Sequence, residues 1–142
     1  MNPFGQTISS DDVLETLGFF DTWEERYKYI IDLGKEIPPL DEHYKTEEFL
    51  VKGCQSQVWL VPITEKQQLV FDVDSDAFIV KGLLGVVLSA LNYKTPDEIL
   101  AFDMEKYFKQ LGLLKHLSMS RSNGLHAMVE RIRSVATAQQ SA

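Results

Sequence analysis

The stretch Gln57-Val58-Trp59-Leu60-Val61-Pro62-Ile63, followed by Leu69-Val70-Phe71-Asp72-Val73, decides the fold class of this chain. Both segments are rich in β-branched and aromatic residues, which favour β-strands. Thr64-Glu65-Lys66-Gln67, which lies between them, has a length typical of a hairpin loop. Apolar and polar residues alternate in the second segment, so one of its faces is expected to be buried. The two segments are therefore predicted to form an antiparallel hairpin.

Helical patterns precede the hairpin. A first helix is predicted after Ser9-Ser10-Asp11 and should end at Gly18. A second begins with Thr22-Trp23-Glu24-Glu25, which is a capping box: the threonine hydroxyl accepts from the backbone N–H three residues on, and the glutamate reaches back. Gly34 or Pro38-Pro39 should terminate this second helix.

Helical patterns also follow the hairpin. Asp74-Ser75-Asp76 is predicted to cap a helix whose apolar residues recur at helical spacing. These residues are Val80, Leu83, Leu84, Val87, Leu88 and Leu91. Lys81 is the only charged residue between Asp76 and Lys94, so we expect this helix to be largely buried.

Three shorter patterns complete the chain. Thr95-Pro96-Asp97-Glu98 is another capping box, and a short helix from Met104 to Leu111 should stop at Gly112. The last helix carries Leu125, Met128, Val129, Ile132 and Val135 and is expected to fray from Ala136. Because strands and helices are segregated, we predict an α+β fold, with a small antiparallel sheet packed against several helices. Residues 1–142 should form a single domain with flexible ends at 1–9 and 137–142.

Composition limits the possible partners and compartments. The chain has 142 residues, and 14 basic against 21 acidic side chains give a net charge of −7. A protein this acidic, with no basic stripe, is not expected to bind nucleic acid. No apolar run reaches the ~20 residues of a membrane span, and the N-terminus lacks the pattern of a secretory signal. Together with a single cysteine, this predicts a cytoplasmic location.

The single cysteine, Cys54, limits the possible chemistry. One cysteine cannot form an internal disulfide, and it cannot by itself hold a structural zinc or an iron–sulfur cluster. A chemical role would therefore be that of a single nucleophilic or sulfur-carrying thiol. Gly53 before it, and Gln55 and Ser56 after it, suggest an exposed turn. The alternative is that Cys54 is a small buried apolar residue with no chemical role.

The histidines and the clustered aspartates are weaker candidates for a site. A cysteine hydrolase would need a histidine base beside Cys54, and nothing in the spacing of the scattered His43, His116 and His126 demands one. Asp72, Asp74 and Asp76 lack the glycine and distal glutamate of a calcium loop, so we assign them to capping.

The stretch Arg121-Ser122-Asn123-Gly124 places a glycine in what should be the first turn of the last helix. A glycine there costs about 1 kcal/mol against alanine, so close packing by another segment would explain it. The alternative is a simple irregularity at a helix start. If Arg121 points towards the Cys54 loop, its charge should lower the pKa of the thiol.

Four strings of the chain together carry a resemblance to a known family. Gly53-Cys54-Gln55-Ser56-Gln57-Val58-Trp59 is similar to the active-site loop of the SufE/CsdE family of sulfur acceptors. The other three are Trp23-Glu24-Glu25-Arg26-Tyr27 with Ile30-Ile31-Asp32-Leu33-Gly34, Asp74-Ser75-Asp76 with Ile79-Val80-Lys81-Gly82-Leu83, and His116-Leu117-Ser118 with Ser120-Arg121-Ser122 and Gly124-Leu125. The resemblance spans roughly residues 20 to 135. Pro3-Phe4-Gly5 is similar to the CsdE branch and the cysteine loop to SufE itself, so both branches stay open.

The resemblance implies a SufE/IscU-like fold and a sulfur carrier. Cys54 would take persulfide sulfur from a pyridoxal-phosphate-dependent cysteine desulfurase of the SufS or CsdA type, stimulate that enzyme, and pass sulfur to an iron–sulfur scaffold or another acceptor protein. It implies no cofactor or metal in this chain, no membrane association and no independent small-molecule turnover. Arg121 would stabilise the thiolate or persulfide.

The residues expected to support the loop or bind the partner are Gly53, Gln55, Ser56, Asp76 and Gly124. Two other functions remain open. The chain could activate a desulfurase without carrying sulfur, or it could be a cysteine-dependent hydrolase.

Overall fold

The computed structural model of the protein describes residues 2–140. Within these residues, six α-helices and a two-stranded antiparallel sheet make up the fold, so the α+β prediction is confirmed. Their order is α1 (Ser10–Gly18), α2 (Trp23–Gly34), β1 (Val58–Glu65), β2 (Gln68–Ser75), α3 (Phe78–Leu91), α4 (Pro96–Ala101), α5 (Met104–Leu111) and α6 (Met119–Gln140). Two 3₁₀ turns, Glu42–Tyr44 and Glu47–Phe49, lie between α2 and β1.

The hairpin is longer and its turn tighter than predicted. Thr64 and Glu65 continue β1 and pair with Leu69 and Gln68, so only Lys66 and Gln67 remain in the turn. Both turn residues have positive φ, 51° and 70°. This geometry matches the right-handed twist of the strands and is typical of two-residue hairpins. The prediction of a longer loop was wrong because the strand ends are polar where the hairpin is exposed, and such residues have the same pattern as a loop.

Helix α3 lies at the centre of the molecule. Every residue from Ile79 to Leu91 is buried except Lys81, which is a wider buried surface than the predicted stripe. Helix α2 crosses α3 closely enough that a side chain at Gly82 would overlap the carbonyl group of Ile30. Gly34 on α2 faces Gly82 in turn, so the two glycines make this close crossing possible.

Helix capping followed the sequence at three helices but not at α3. The predicted capping boxes at Thr22 and Thr95 are both formed, and α1 has a third, between Ser9 and Asp12. At α3 the capping prediction was wrong. The N-cap is Ala77, and no side chain within residues 2–140 caps the helix. The carboxylates expected there make other contacts, which are described with the site below.

The described part of the N-terminus packs against the core. Phe4 is fully buried, and Asn2 Nδ2 donates to the carbonyl of Phe71 at 3.3 Å. Asn92 holds the same segment, since its Nδ2 donates to the carbonyl of Phe4 at 3.1 Å. This arrangement differs from the flexible end expected at 1–9, because that expectation took no account of tertiary contacts.

The last helix is longer than the sequence pattern indicated. Helix α6 begins at Met119, so Gly124 lies in its second turn, and it continues through Ala136 to Gln140 without the expected fraying. Met1, Ser141 and Ala142, which belong to the predicted flexible ends, lie outside the described residues. Within residues 2–140 no helix has both the length and the apolarity to cross a membrane.

Candidate functional site

The loop that carries Cys54 leads directly into β1. At its start, Val51 N–H donates to the carbonyl of Val58 at 2.8 Å, which ties the loop to the first residue of the strand. Gly53 has φ +92°, in the region that favours glycine. A Cβ at this position would lie 3.3 Å from the Cβ of Ala127 on α6. Glycine at 53 therefore fits both the backbone conformation and the close passage of the loop over α6.

The thiol of Cys54 is half-buried against α6. Its Sγ lies 3.6 Å from the carbonyl oxygen of Gly124, to which the S–H donates. A Cβ at Gly124 would lie 3.6 Å from the same sulfur, an ordinary van der Waals distance. The expected close packing against Gly124 is therefore present, although an alanine there would touch the thiol without overlapping it.

A cavity of about 370 Å³ opens beside the thiol. One side is apolar and comes from Val80, Leu83 and Met128 of the helices α3 and α6. The remaining lining residues are Cys54, Gln55, Ser56, Ser118, Ser120, Arg121 and Gly124. The structure thus places Gln55, Ser56, Arg121 and Gly124 around the same cavity as Cys54.

Burial raises the pKa of the Cys54 thiol above its ordinary value. The sequence suggested the opposite shift, caused by a nearby Arg121. In the resting arrangement desolvation prevails, because the thiol is half-buried and its hydrogen bond to the Gly124 carbonyl requires the protonated form. At neutral pH the resting site therefore holds a protonated thiol.

Arg121 lies in the first turn of α6 and is exposed. Its backbone N–H donates to Ser118 Oγ at 3.3 Å, and Ser118 Oγ lies 3.3 Å from Ser120 Oγ. The guanidinium group has no hydrogen bond or ion pair with any residue between 2 and 140. The site thus contains an uncompensated positive charge on the cavity lining.

Asp76 fastens the end of the Cys54 loop to the segment before α3. Its Oδ1 accepts from the backbone N–H of Gln57 at 3.0 Å, and its own N–H donates to the carbonyl of Gln57 at 3.3 Å. Asp74 is engaged elsewhere, in ion pairs with Lys45 at 3.1 Å and Lys81 at 3.3 Å. These contacts explain why neither carboxylate caps α3. Among the described residues, no group of histidine, cysteine and carboxylate side chains could hold a metal ion.

The histidines lie outside the Cys54 cavity. His43 Nδ1 contacts Asp41 at 2.6 Å, His116 stacks on Trp23 at 4.5 Å between ring centres, and His126 Nδ1 lies 3.7 Å from Glu105. None is among the residues that line the cavity. A histidine base for a cysteine hydrolase is therefore missing from this arrangement of the described residues.

Sequence reasoning did not assign five of the cavity residues to the site. They are Val80, Leu83, Ser118, Ser120 and Met128. Val80 and Leu83 were assigned to the core stripe of α3, which is also correct, because they are buried. Helical spacing could have indicated Met128. It lies one turn after Gly124, so both residues are on the same face of α6.

Comparison with known proteins identifies the family. The model of the SufE domain, described as an Fe–S metabolism associated domain, matches residues 11–136. An uncharacterized SufE-like protein of Rhizobium etli is 45% identical over 138 residues, covering 94% of this chain and 93% of the relative. An uncharacterized SufE-like protein of Rhizobium meliloti is 43% identical over 132 residues, covering 90% and 94%.

A solved structure shows the same fold. It is the solution structure of a hypothetical protein from Thermus thermophilus, which superposes with a TM-score of 0.76 at 18% identity and covers 94% of this chain and 96% of the other. At this identity the likeness concerns the fold alone. The family-model match and the two rhizobial relatives establish the family, and this chain belongs to the SufE family of Fe–S metabolism associated proteins.

Proposed function

We propose that this protein is a sulfur carrier in which Cys54 accepts sulfur from a pyridoxal-phosphate-dependent cysteine desulfurase. The observation that carries the proposal is the position of the only cysteine in the sequence. It lies at the wall of a cavity that Arg121 also lines, and the Arg121 guanidinium has no hydrogen bond or ion pair within residues 2–140. Membership of a family associated with Fe–S metabolism supports the same conclusion.

The transfer step needs one thiolate and no cofactor in this chain. The Cys54 thiolate attacks the terminal sulfur of the persulfide on the donor cysteine, a new S–S bond forms, and the donor cysteine leaves as a thiolate. Because burial raises the pKa of Cys54, the thiol must lose its proton before it attacks. We expect docking of the desulfurase to promote this deprotonation of Cys54 by altering the surroundings of the loop.

The cavity supports the carrier function over simple activation of a desulfurase. A carrier must limit the access of unselected reductants to the bound sulfur between donor and acceptor. The half-buried position of Cys54 restricts that access. The sequence contains no second cysteine that could displace the carried sulfur by forming a disulfide. A pure activator would need neither a half-buried cysteine nor the absence of a second one.

The rest of the proposal follows from this role. Removing sulfur from the desulfurase would stimulate its turnover, and the sulfur would pass to an Fe–S scaffold or another acceptor protein in the cytoplasm. The protein would catalyse no small-molecule reaction without such a partner. Gly53, Gln55, Ser56, Asp76 and Gly124 would hold the loop or contact the desulfurase.

A desulfurase assay with Cys54→Ser separates the carrier from the activator. Alanine formation from cysteine is measured with the partner enzyme alone, with the native protein, and with the variant. The carrier proposal predicts stimulation by the native protein and none by Cys54→Ser, although both bind the enzyme equally in a pull-down. Equal stimulation by the two proteins would instead establish an activator. Hydrolysis of esters or amides without any desulfurase would favour the hydrolase.

A further inference from the structure

We infer that the Cys54 cavity also binds small thiols that carry a carboxylate, and that such thiols can take the sulfur directly from the Cys54 persulfide. This inference rests on the proposed carrier function. It adds a class of small-molecule acceptor to the protein acceptors considered above. Three features of the cavity lead to it: its size, its free positive charge and its distribution of polar groups.

The cavity is larger than its cargo requires. A single sulfur atom needs a volume comparable to that of one water molecule, on the order of 30 Å³. The cavity measures about 370 Å³, which falls in the range of pockets that bind small organic molecules. A persulfide on Cys54 would therefore leave space for a molecule of roughly amino-acid size beside the sulfur.

The free charge on the cavity lining selects an anion. Arg121 contributes to the lining, and its guanidinium has no partner in the portion of the chain that the structure describes. A guanidinium group presents paired N–H donors that match the two oxygens of a carboxylate. No carboxylate side chain of the same portion lines the cavity, so the charge is available to a ligand.

Hydroxyl groups and apolar side chains complete the match. Ser118 and Ser120 lie in the same part of the chain as Arg121, and Ser56 contributes a hydroxyl from the cysteine loop. The apolar side of the cavity, formed by α3 and α6, suits a short aliphatic chain. A small thiol with its carboxylate on Arg121 would occupy the space that Cys54 borders.

The reaction is a balanced exchange of sulfur between thiols. The thiolate R–S⁻ attacks the terminal sulfur of Cys54–S–SH, the bond between the two sulfurs breaks, and R–S–SH leaves. Cys54 departs as a thiolate and takes a proton to restore the hydrogen bond to the Gly124 carbonyl. No oxidant or reductant is consumed.

The test uses chemically loaded protein and two matched acceptors. Cys54 is first converted to a mixed disulfide by exchange with a symmetrical aromatic disulfide, which releases one aromatic thiolate. Sulfide then displaces the second aromatic thiolate and leaves the Cys54 persulfide, so no desulfurase is involved. Transfer is then followed with N-acetylcysteine, which carries a carboxylate, and with N-acetylcysteine amide, which does not. Rates are compared at equal thiolate concentration and low ionic strength. We expect N-acetylcysteine to show saturation and a preference of about tenfold, in line with a charge-assisted contact.

Three variants locate the source of the preference. Arg121→Gln should abolish the preference for N-acetylcysteine over its amide. Arg121→Glu should make the cationic thiol cysteamine react faster than N-acetylcysteine. Lys52→Gln removes another exposed cation close in sequence to Cys54, one that does not line the cavity and pairs instead with Glu47 at 3.2 Å. It should leave the preference unchanged. Circular dichroism checks that each variant is folded.

Several results would overturn the inference. These are equal, unsaturated rates for both acceptors, a preference that survives in Arg121→Gln, or a preference lost equally in Lys52→Gln. Because loading is chemical, any of them would leave the carrier function untouched. Conversely, failure of a desulfurase to load Cys54 would contradict the carrier function. The rates of sulfur transfer from chemically loaded Cys54 to the small thiols could still be measured.

Discussion

The α2–α3 crossing and the Cys54 loop both place a glycine where two segments meet, but they differ in how tightly the segments pack and in what surrounds the glycine. At the crossing, Gly82 meets the backbone of Ile30 and neighbouring residues are buried and apolar. At the loop, Gly124 meets a half-buried thiol and a cavity lined by an exposed arginine. The first arrangement maximises burial, whereas the second leaves polar groups available.

This difference assigns stability and chemistry to separate parts of the molecule. Burial of apolar surface is the main favourable term in folding, and α3 supplies the centre of it. The loop is held by a few hydrogen bonds, each of which contributes about 1 kcal/mol. Changes at α3 residues that do not line the cavity, such as Leu84, should therefore lower stability without altering the site, and changes at the loop should do the reverse.

The largest expected effect is at α3. Leu84 is fully buried, so Leu84→Ala should lower the free energy of unfolding by about 2–5 kcal/mol, through lost burial and the cavity left behind. Ile63→Ala, at a residue that is 38% exposed on the hairpin, is the control and should cost less than about 1.5 kcal/mol. Urea denaturation measures both. Similar losses for the two variants would show that α3 does not dominate the core.

A smaller effect on stability but a clear effect on the site is expected at Asp76. Asp76→Ala removes the acceptor for Gln57 N–H, so we expect a loss of about 1 kcal/mol and faster alkylation of Cys54, because the loop end is released. Asp76→Asn keeps an acceptor oxygen and should preserve most of the native behaviour. If Asp76→Ala alkylates at the native rate, this hydrogen bond does not control access to the thiol.

The smallest effect concerns pH. Since burial raises the pKa of Cys54, its alkylation should have a midpoint at higher pH than in the urea-unfolded chain. The same shift stabilises the folded protein below the unfolded pKa, and this contribution is lost as pH rises through the folded pKa. Cys54→Ser should therefore lose less stability than the native protein in that alkaline window. Identical midpoints in the folded and unfolded chains would mean that the thiol is not desolvated.

The sequence predicted the ends of helices most accurately where those ends depend on residues that are close in sequence. The start of α4 at Pro96 and the end of α5 at Leu111 were predicted to the residue, because a capping box and a left-handed Gly112 are local features. The uncapped start of α3 was mispredicted because Asp76 bonds to Gln57, which is distant in sequence.

The site followed the same rule. Cys54 and its loop were proposed as the site from contiguous residues, whereas part of the lining of the cavity beside them was not assigned. Those side chains come from α3, from α6 and from the segment that leads into α6, and only tertiary packing brings them together. The upward pKa shift was also missed, since it depends on how deeply the folded chain buries the thiol.

The proposed role of Cys54 as a sulfur carrier is tested most directly by mass spectrometry. The protein is incubated with an active cysteine desulfurase and free cysteine, complex formation is verified, and the Cys54 peptide is analysed after digestion without reductant. We predict a mass increase of one or more sulfur atoms on that peptide. The increase should disappear on reduction and be absent in Cys54→Ser. A native peptide without added sulfur, despite a verified complex and continuing turnover of cysteine, would contradict the carrier function.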